Sequence, residues 1–310
     1  MAEPGMADPA MPTRAERRER RTAWLLVLPA VGSIVLVALF PLVWTFWESL
    51  HLHDLRMPWR GRPFVGLDHY VELTTDVRFW ASVGHTGLFV AVTVVAELAL
   101  GVVLALGLNE MRRGRGLARV LVLLPWAIPT AVAALIWRFM FEGESGVANE
   151  LLVSVGLLDQ PVIWFVGAKT AWVPAMLADV WKTTPFVTLL LLAGLQNIPD
   201  LLYEAARMDG AGAWRRFREI TLPLLWPALL VALLFRMLDA LRVFDLIYVL
   251  TGGGPGTATE PVSLLAFDTM LQSLRFGYGA AMSMTVFVAA FLVALVFIRV
   301  LGRRGTRGLA

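Results

Sequence analysis

Six long apolar stretches, separated by polar segments, dominate the pattern of hydrophobic and polar residues along the chain. Each stretch provides the roughly 20 mostly apolar residues that a helix needs to cross the hydrocarbon core of a membrane. We therefore predict an all-α integral membrane protein with one membrane domain over residues 23–303. Its six membrane-spanning helices are predicted at residues 23–47, 83–108, 117–141, 170–195, 224–248 and 280–301.

The first apolar stretch follows a basic segment and has to be distinguished from a secretory signal peptide. Its apolar run is much longer than the roughly 7–15 residues of a signal peptide core, and no small-residue cleavage site follows it. We therefore predict that it is retained as a helix. The preceding residues 1–22 are predicted to form a tail, of which residues 1–13 lack periodicity and are expected to be disordered.

Basic residues lie mostly on one side of the predicted spans. Of the 27 Lys and Arg residues, six lie in the three segments on one side, and 17 lie on the other side, in segments 1–22, 109–119, 196–223 and 299–310. Because cytoplasmic segments of membrane proteins are enriched in Lys and Arg, both termini are predicted to be cytoplasmic, including a C-terminal tail at 304–310. This topology explains the net charge of +3 better than binding to nucleic acid does.

Composition and motifs exclude most catalytic chemistry on this chain. With 58% hydrophobic and 16% charged residues, it departs from soluble domains, which average roughly 45–50% and 25%. The absence of cysteine excludes disulfides, thiolate metal sites and cysteine nucleophiles. The four histidines are scattered, and the glycine-rich run at 252–256 lacks the Lys-Ser/Thr of a phosphate-binding loop. We predict no catalytic residue, no metal and no cofactor on this chain.

The segment between the fourth and fifth predicted spans contains the start and stop signals of a short helix. Pro199 and Asp200 are typical of a first helical turn. Gly210 is typical of a helix end, because glycine adopts positive φ without strain. We therefore predict a helix over about 200–208, with one stripe of side chains formed by Leu201, Ala205 and Met208.

A second short helix is predicted over about 213–220. It is expected to end before Pro223, which lacks a backbone N–H and clashes with the preceding turn. The two helices would form a compact helix-turn-helix on the cytoplasmic face. Small side chains at its bend would let another backbone approach closely: Ala205, Ala206, Gly210, Ala211 and Gly212.

The pattern of this segment resembles the EAA loop of permease subunits in bacterial ABC importers. In that family the loop is the coupling helix that docks into a groove on the ATPase subunit. The resemblance implies the six-helix type I permease fold and assigns segment 197–223 to ATPase coupling. The residues that match the motif are Glu204, Ala205, Ala206, Asp209, Gly210, Ala211, Phe217, Leu222 and Pro223, with Ile220 and Pro227.

Two flanking motifs, at 181–186 and 244–255, resemble the carbohydrate branch of that family. They are most similar to the first permease of maltose/trehalose-type and glycerol-phosphate-type systems. The resemblance implies half of the translocation pathway of an ATP-driven, alternating-access importer in a bacterial cell membrane. The implied substrate is a disaccharide or oligosaccharide, with trehalose or maltose favoured, and glycerol phosphate or another polyol is the alternative.

The resemblance also implies a set of partners. These are a second homologous permease subunit, an ATPase dimer and an extracytoplasmic sugar-binding protein, in contact with membrane lipid. ATP and Mg²⁺ would be bound by the ATPase. This chain would be a transport subunit and not an enzyme.

Charged residues within the fifth predicted span allow two interpretations. Arg236, Asp239, Arg242 and Asp245 are three residues apart, so neighbours would meet on successive turns of one helix. They either form a self-neutralised ladder of ion pairs, or line the passage and offer hydrogen bonds to hydroxyl groups. By resemblance, the sugar pocket would include Arg236, Asp239, Ala240 and Val243.

A proline within the fourth predicted span marks a second candidate for the pathway. Pro185 is expected to interrupt the helix by removing a donor and clashing with the carbonyl of Trp181. Aromatic faces stack on sugar rings and polar side chains bind hydroxyls, which favours Trp181, Lys182, Thr184 and Phe186 as pathway residues. The alternative is a structural kink packed against the partner permease.

Two rival classes of function remain open. A secondary transporter would need coupling-ion sites and usually has internal repeats, and the sequence shows no repeat. An intramembrane enzyme would need a catalytic pair, but Asp239 and Asp245 would lie about 9 Å apart along one helix. Elsewhere in the spans, Glu97 and Arg138 are a further candidate ion pair with no predicted role in the pathway.

Overall fold

The computed structural model describes residues 14–111, 113–143 and 146–305. The tail predicted to be disordered, residues 1–13, lies outside the described residues. Within them the fold is all-α, with strand pairing limited to two isolated bridges. Five of the described helices are long and apolar enough to cross a membrane, and one bent pair counts as a possible sixth span. In chain order we label α1 (Thr22–Ser49), α2 (Val77–Glu110), the bent pair α3 (Arg115–Ala127) and α4 (Thr130–Met140), α5 (Trp172–Gln196), α6 (Asp200–Met208), α7 (Ala213–Ala240), α8 (Asp245–Leu250) and α9 (Phe276–Gly305).

The stretch predicted as one helix over 117–141 consists of two helices, α3 and α4, that meet at 90°. Pro129 lies at the corner. Because a residue that precedes proline disfavours the α conformation, Ile128 has an extended backbone, with φ −75° and ψ 131°. The structure therefore differs here from the predicted continuous helix.

Helix α7 begins well before the predicted fifth span. It passes through a π turn at Phe217–Thr221 and continues past Pro223. In the π turn the Leu222 N–H bonds to the carbonyl of Phe217, five residues back, and this wider turn accommodates the proline. The prediction of a separate helix that ends before Pro223 was therefore wrong.

A break separates α7 from α8 within the predicted span 224–248. Phe244 lies in the break and has a non-helical backbone, with φ −139° and ψ −67°. No glycine or proline lies in the break to signal it. The prediction of one continuous helix was wrong, and Asp245 is separated from the helix that carries Arg236 and Asp239.

Three helices, α2, α5 and α7, form the centre of the bundle. At Gly101 of α2, an added Cβ would lie 2.5 Å from the Val187 Cγ1 of α5. At Gly194 of α5, an added Cβ would lie 2.7 Å from the Cβ of Ala228 in α7. Small residues let helix backbones come this close within a membrane. Any polar side chain between these helices is therefore enclosed by packed protein.

Helix α1 differs from the central helices, because its most apolar window has no buried residue. Its C-terminal part packs on α9. At the end of the bundle away from α6, one ion pair ties a loop to α2 and another lies within a single loop. Arg78 lies 2.7 Å from buried Glu260, and Arg56 lies 2.6 Å from Asp54, where its hydrogen bonds lower the pKa of the Asp54 carboxyl. These pairs fix the loops over that end of the spans.

Candidate functional site

Two adjoining cavities lie beside α5 and α7. The larger has a volume of about 710 Å³ and is lined by α3, α5, α7 and α9. The smaller has a volume of about 280 Å³ and extends to α4 and α8. Ligand pockets typically have volumes of roughly 300–1,000 Å³, so the larger cavity is wide enough for a small ligand. The two cavities share a wall, formed by Lys182, Thr183, Asp239 and Arg242, which we call the shared wall.

Most of the residues predicted for the pathway line these cavities. Lys182 and Asp239 line both cavities. The larger one is also lined by Phe186 and Arg236, and the smaller one by Ala240 and Val243. The structure thus brings together six of the eight residues proposed from the sequence: Lys182, Phe186, Arg236, Asp239, Ala240 and Val243.

The other two predicted residues, Trp181 and Thr184, line neither cavity. The Trp181 ring packs beside Trp137, with 5.9 Å between ring centroids. The Thr184 hydroxyl donates to the Val180 carbonyl at 2.6 Å, one turn earlier in α5. The threonine of α5 that faces the cavities is Thr183.

Aromatic rings form an apolar side of the larger cavity. Phe186 lies between Trp126 and Phe235, with 6.1 Å between centroids in each pair. Helix α5 continues through Pro185 without a break, so the predicted interruption is absent. The cavity therefore has one aromatic side and one charged side.

A charge cluster joins the shared wall to the interior of the bundle: Glu97, Asp179 and Arg236 are buried, and Asp239 is the half-exposed member that belongs to the wall. Arg236 of α7 is only 3% exposed, and it binds Glu97 of α2, which is fully buried, through Nε and Nη2. Its Nη2 also lies 3.2 Å from Asp179 Oδ2 on α5, and its Nη1 lies 2.6 Å from Asp239 Oδ2. One guanidinium therefore joins carboxylates on three helices.

Neighbouring side chains complete the hydrogen bonds of the cluster. The Thr183 hydroxyl donates to Glu97 Oε1 at 2.6 Å, and Arg242 Nη2 donates to Asp239 Oδ1 at 3.2 Å. Each Asp239 oxygen thus has one arginine, while half of the side chain stays exposed. Asp239 can accept hydrogen bonds from a ligand, and Lys182 and Arg242 can donate them. Among the described residues, no group of His, Cys, Asp or Glu is arranged to hold a metal ion.

The sequence analysis missed three members of this site: Glu97 as a partner of Arg236, Asp179 and Thr183. The signal that could have found the acids is an ionisable residue within an apolar span, which marks a functional site by default. The suggested pairing of Glu97 with Arg138 is not observed. Arg138 instead donates to the Val249 carbonyl at 3.3 Å.

The first helix predicted for segment 197–223 is α6. It ends in a Schellman motif, in which Gly210 N–H bonds to the Arg207 carbonyl at 3.1 Å and Ala211 N–H bonds to the Ala206 carbonyl at 2.8 Å. Gly210 has φ +73°, as this motif requires. The glycine stop therefore lies where the sequence predicted it.

The surface of α6 exposes both apolar and acidic side chains. Leu201 is 72% exposed and Met208 is 90% exposed, and Ala205, which was predicted on the same stripe, is exposed as well. Glu204 and Asp209 are also exposed. An exposed apolar stripe with adjacent charges is typical of a surface that binds another protein.

The remaining motif residues connect α6 to α7. The Tyr203 hydroxyl lies 3.0 Å from Thr221 Oγ1, which joins α6 to the π turn. The Phe217 ring lies 5.6 Å from that of Trp214. Ala206, Ala211, Phe217 and Leu222 are partly buried, while Gly210 and Pro223 are exposed. We call residues 197–223 the docking segment.

The chain is similar in sequence to membrane components of transport systems. Residues 97–306 match the family described as "Binding-protein-dependent transport system inner membrane component". The trehalose/maltose transport system permease protein MalF of Thermococcus litoralis is 45% identical over 293 residues, which cover 94% of this chain and 98% of that protein. The trehalose transport system permease protein SugA of Mycobacterium tuberculosis is 39% identical, over 96% of this chain and 94% of that protein.

A further relative has a different named substrate. The sulfoquinovosyl glycerol transport system permease protein SmoG of Agrobacterium fabrum is 39% identical, over 91% of each chain. Among solved structures, a chain of a bacterial ABC transporter involved in the import of the acidic polysaccharide alginate matches with a TM-score of 0.79 and 24% identity, over 94% of this chain and 99% of that chain. This match shows a common fold.

Proposed function

The chain belongs to the binding-protein-dependent transport system inner membrane components, as a carbohydrate ABC importer permease, and we propose that it forms half of the translocation pathway for a disaccharide or oligosaccharide. It is a multi-pass membrane protein with the type I permease fold. We favour a substrate of the trehalose/maltose type, which is the substrate named for the relatives MalF and SugA.

The observation that carries this proposal is the chemistry of the shared wall. Asp239, Lys182 and Arg242 place hydrogen-bonding groups of both charges opposite the aromatic side of the larger cavity around Phe186. Sugars combine many hydroxyl groups with apolar C–H faces, which suit polar groups and aromatic rings respectively. A wall that carries both hydrogen-bond donors and an acceptor suits a polyhydroxy ligand.

The docking segment gives this chain its place in an assembly. In the proposed assembly, an ATPase dimer binds ATP and Mg²⁺, and one of its subunits grips the segment from Glu204 to Pro223. Glu204 pairs with a cation in the ATPase groove. A second homologous permease completes the pathway, a sugar-binding protein delivers substrate from outside, and both termini of this chain are cytoplasmic in a bacterial cell membrane. ATP binding then drives alternating access, and no covalent chemistry occurs on this chain.

Glycerol phosphate or another polyol is the second candidate substrate, because Arg242 is exposed beside the cavities. Arg236 is less suited to bind a phosphate. It already binds three carboxylates, and these bonds use four of its five N–H donors. Phosphate recognition would depend on Arg242 and Lys182, next to Asp239.

The test is uptake by the complete transporter, reconstituted in liposomes with its second permease, ATPase and binding protein. Trehalose, maltose and glycerol phosphate are offered in turn. We expect ATP-dependent uptake of one of the two disaccharides. Uptake that needs no ATP and collapses with an ion gradient would instead establish a secondary transporter, and turnover of substrate by the isolated chain would establish an enzyme.

The variant Glu204→Arg tests the docking role in the same liposomes. Reversing this exposed charge is expected to lower ATP-driven uptake by about 100-fold, because two like charges that face each other at a docked interface cost several kcal/mol. The spans should fold normally, since α6 contributes an exposed surface. Glu150→Arg is the matched control, because Glu150 is exposed on a helix outside the docking segment. Equal uptake by both variants contradicts the docking role.

A further inference from the structure

Arg236 lines the larger cavity and also links α7 to two other helices. It is carried by α7, the same continuous helix that begins within the docking segment. About 15 residues of helix, or roughly 22 Å, separate it from the end of the π turn at Phe217–Thr221. Its partners Glu97 and Asp179 lie on α2 and α5. The arginine therefore connects α7, which leaves the docking segment, with α5, which leads into that segment, and with α2, which is distant from it in the chain.

We propose that Arg236, held by Glu97 and Asp179, is the positioning residue that couples movement of α7 to α2 and α5, and so to the cavity wall. The inference rests on the proposed function and goes beyond it, since it assigns a role in energy coupling to buried residues behind the substrate surface. Asp239 is the member of the cluster that lines both cavities, while Arg236 lines the larger one and Asp179 the smaller one. Because Arg236 is only 3% exposed, it acts on a substrate through Asp239.

The geometry of the guanidinium supports coupling over simple neutralisation. One carboxylate is enough to neutralise one arginine, yet Arg236 binds three, and its Nε, Nη1 and Nη2 are all used. A guanidinium is planar and presents its donors in fixed directions. A shift of α7 relative to α2 or α5 therefore cannot keep all three contacts unless the partner helices follow or Asp239 changes its orientation.

Close packing outside the cluster also holds these helices together. Helices α2 and α5 already meet closely at Gly101, and α5 and α7 meet at Gly194. The direct bond from Arg236 to Glu97 adds a directional link between α7 and α2. Thr183 donates to the same carboxylate, so the link ends on a side chain of the shared wall. Movement of α7 is thereby transmitted to Asp239 on α7 and to Thr183 on α5, which both belong to that wall.

The experiment compares sugar molecules imported per ATP hydrolysed in the reconstituted transporter. The main variant is the double substitution Glu97→Gln with Arg236→Gln, which removes one charge of each sign and leaves the net charge of the cluster unchanged. It also leaves Asp179, which lines the smaller cavity. We expect it to assemble, to hydrolyse ATP within about twofold of the unmodified transporter, and to import at least about tenfold less sugar per ATP, with little change in KM.

A second variant, Arg236→Lys, keeps the charge but has no planar fork to span three carboxylates. We expect the same loss of coupling. The control is Glu72→Gln with Arg275→Gln, which removes an ion pair (2.7 Å) between two partly exposed side chains outside the cavities. Both sugar import per ATP and KM should remain unchanged in this control.

Three results overturn the inference. An unchanged ratio of sugar to ATP in both main variants shows that the cluster only neutralises charge. A rise in KM alone makes Arg236 a substrate-contact residue. Failure of both variants to assemble assigns the cluster to folding. None of these affects the proposed function, which fails separately if the unmodified transporter imports no sugar with ATP.

Discussion

The docking segment and the buried charge cluster lie at different levels of α7 and are built in opposite ways. The docking segment folds through contacts between near neighbours, such as the bonds of Gly210 and Ala211 to carbonyls three and five residues back, and it leaves Glu204 and Asp209 exposed. The cluster joins Arg236 to Glu97 and Asp179, which are 139 and 57 residues away in the chain. All three of these side chains are buried.

In the docking segment, function and stability depend on different residues. In the charge cluster, both depend on the same residues. Substitutions in the docking segment should change transport while the spans keep their stability. Substitutions in the cluster should change both, because an unpaired charge buried among helices is costly. The following three predictions test this comparison, in order of their expected effect on the stability of the spans.

The largest effect is expected for the single substitution Arg236→Gln. It leaves Glu97 fully buried without its cation, and breaking a buried pair on one side typically costs about 3–5 kcal/mol. Thermal unfolding of the detergent-solubilised chain, followed by size-exclusion chromatography, measures this loss. The double variant with Glu97→Gln should recover most of it. If the single variant is as stable as the double variant, the cluster does not behave as a buried ion pair.

An intermediate effect is expected for Gly101→Ala. The new methyl group would lie 2.5 Å from Val187 Cγ1, and overpacking of this kind costs about 1–3 kcal/mol. Gly107→Ala is the matched control in the same helix, because an added Cβ there has open space and should stabilise α2 by about 0.5–1 kcal/mol. Thermal unfolding should therefore shift in opposite directions for the two variants. Equal shifts would mean that α2 and α5 are not in close contact at Gly101.

The smallest effect on span stability, with a large effect on uptake, is expected for Gly210→Val. A β-branched residue is strained at φ +73°, so the Schellman motif opens and the docking surface is lost. Gly116→Val is the control, because Gly116 lies outside the docking segment and has open space at its Cβ. ATP-driven uptake should be abolished by the first variant and retained by the second, while both unfold at nearly the normal temperature. Loss of span stability in Gly210→Val would break the comparison.

Local signals in the sequence predicted the local parts of the structure well. Four of the six apolar stretches correspond to single long helices, and Pro199, Asp200 and Gly210 indicated α6 at its observed position. The three-residue spacing in the sequence also predicted the ion pairs of Asp239 with Arg236 and Arg242. These features depend on residues within one or two turns of each other, so sequence patterns contain them.

Features that depend on distant contacts or on unusual turns were not predicted. The break before Asp245 has no glycine or proline to signal it, and the π turn before Pro223 reversed the expected effect of that proline. The pairing of Glu97 with Arg236 follows from the packing of α2 against α7, which no spacing within one helix shows. Thr183, and not the predicted Thr184, lines the cavities. The sequence could not show this, because the face of α5 that meets the cavities depends on the neighbouring helices.

Because α7 continues through its π turn, a small change of its inclination displaces its far end by a large distance. A helix of 28 residues is about 42 Å long, which makes α7 a lever that reaches from the docking segment to the shared wall. If one end is fixed, an inclination of about 10° displaces the other end of such a lever by about 7 Å. A modest rotation at the docking segment is therefore enough to move the shared wall by several ångströms.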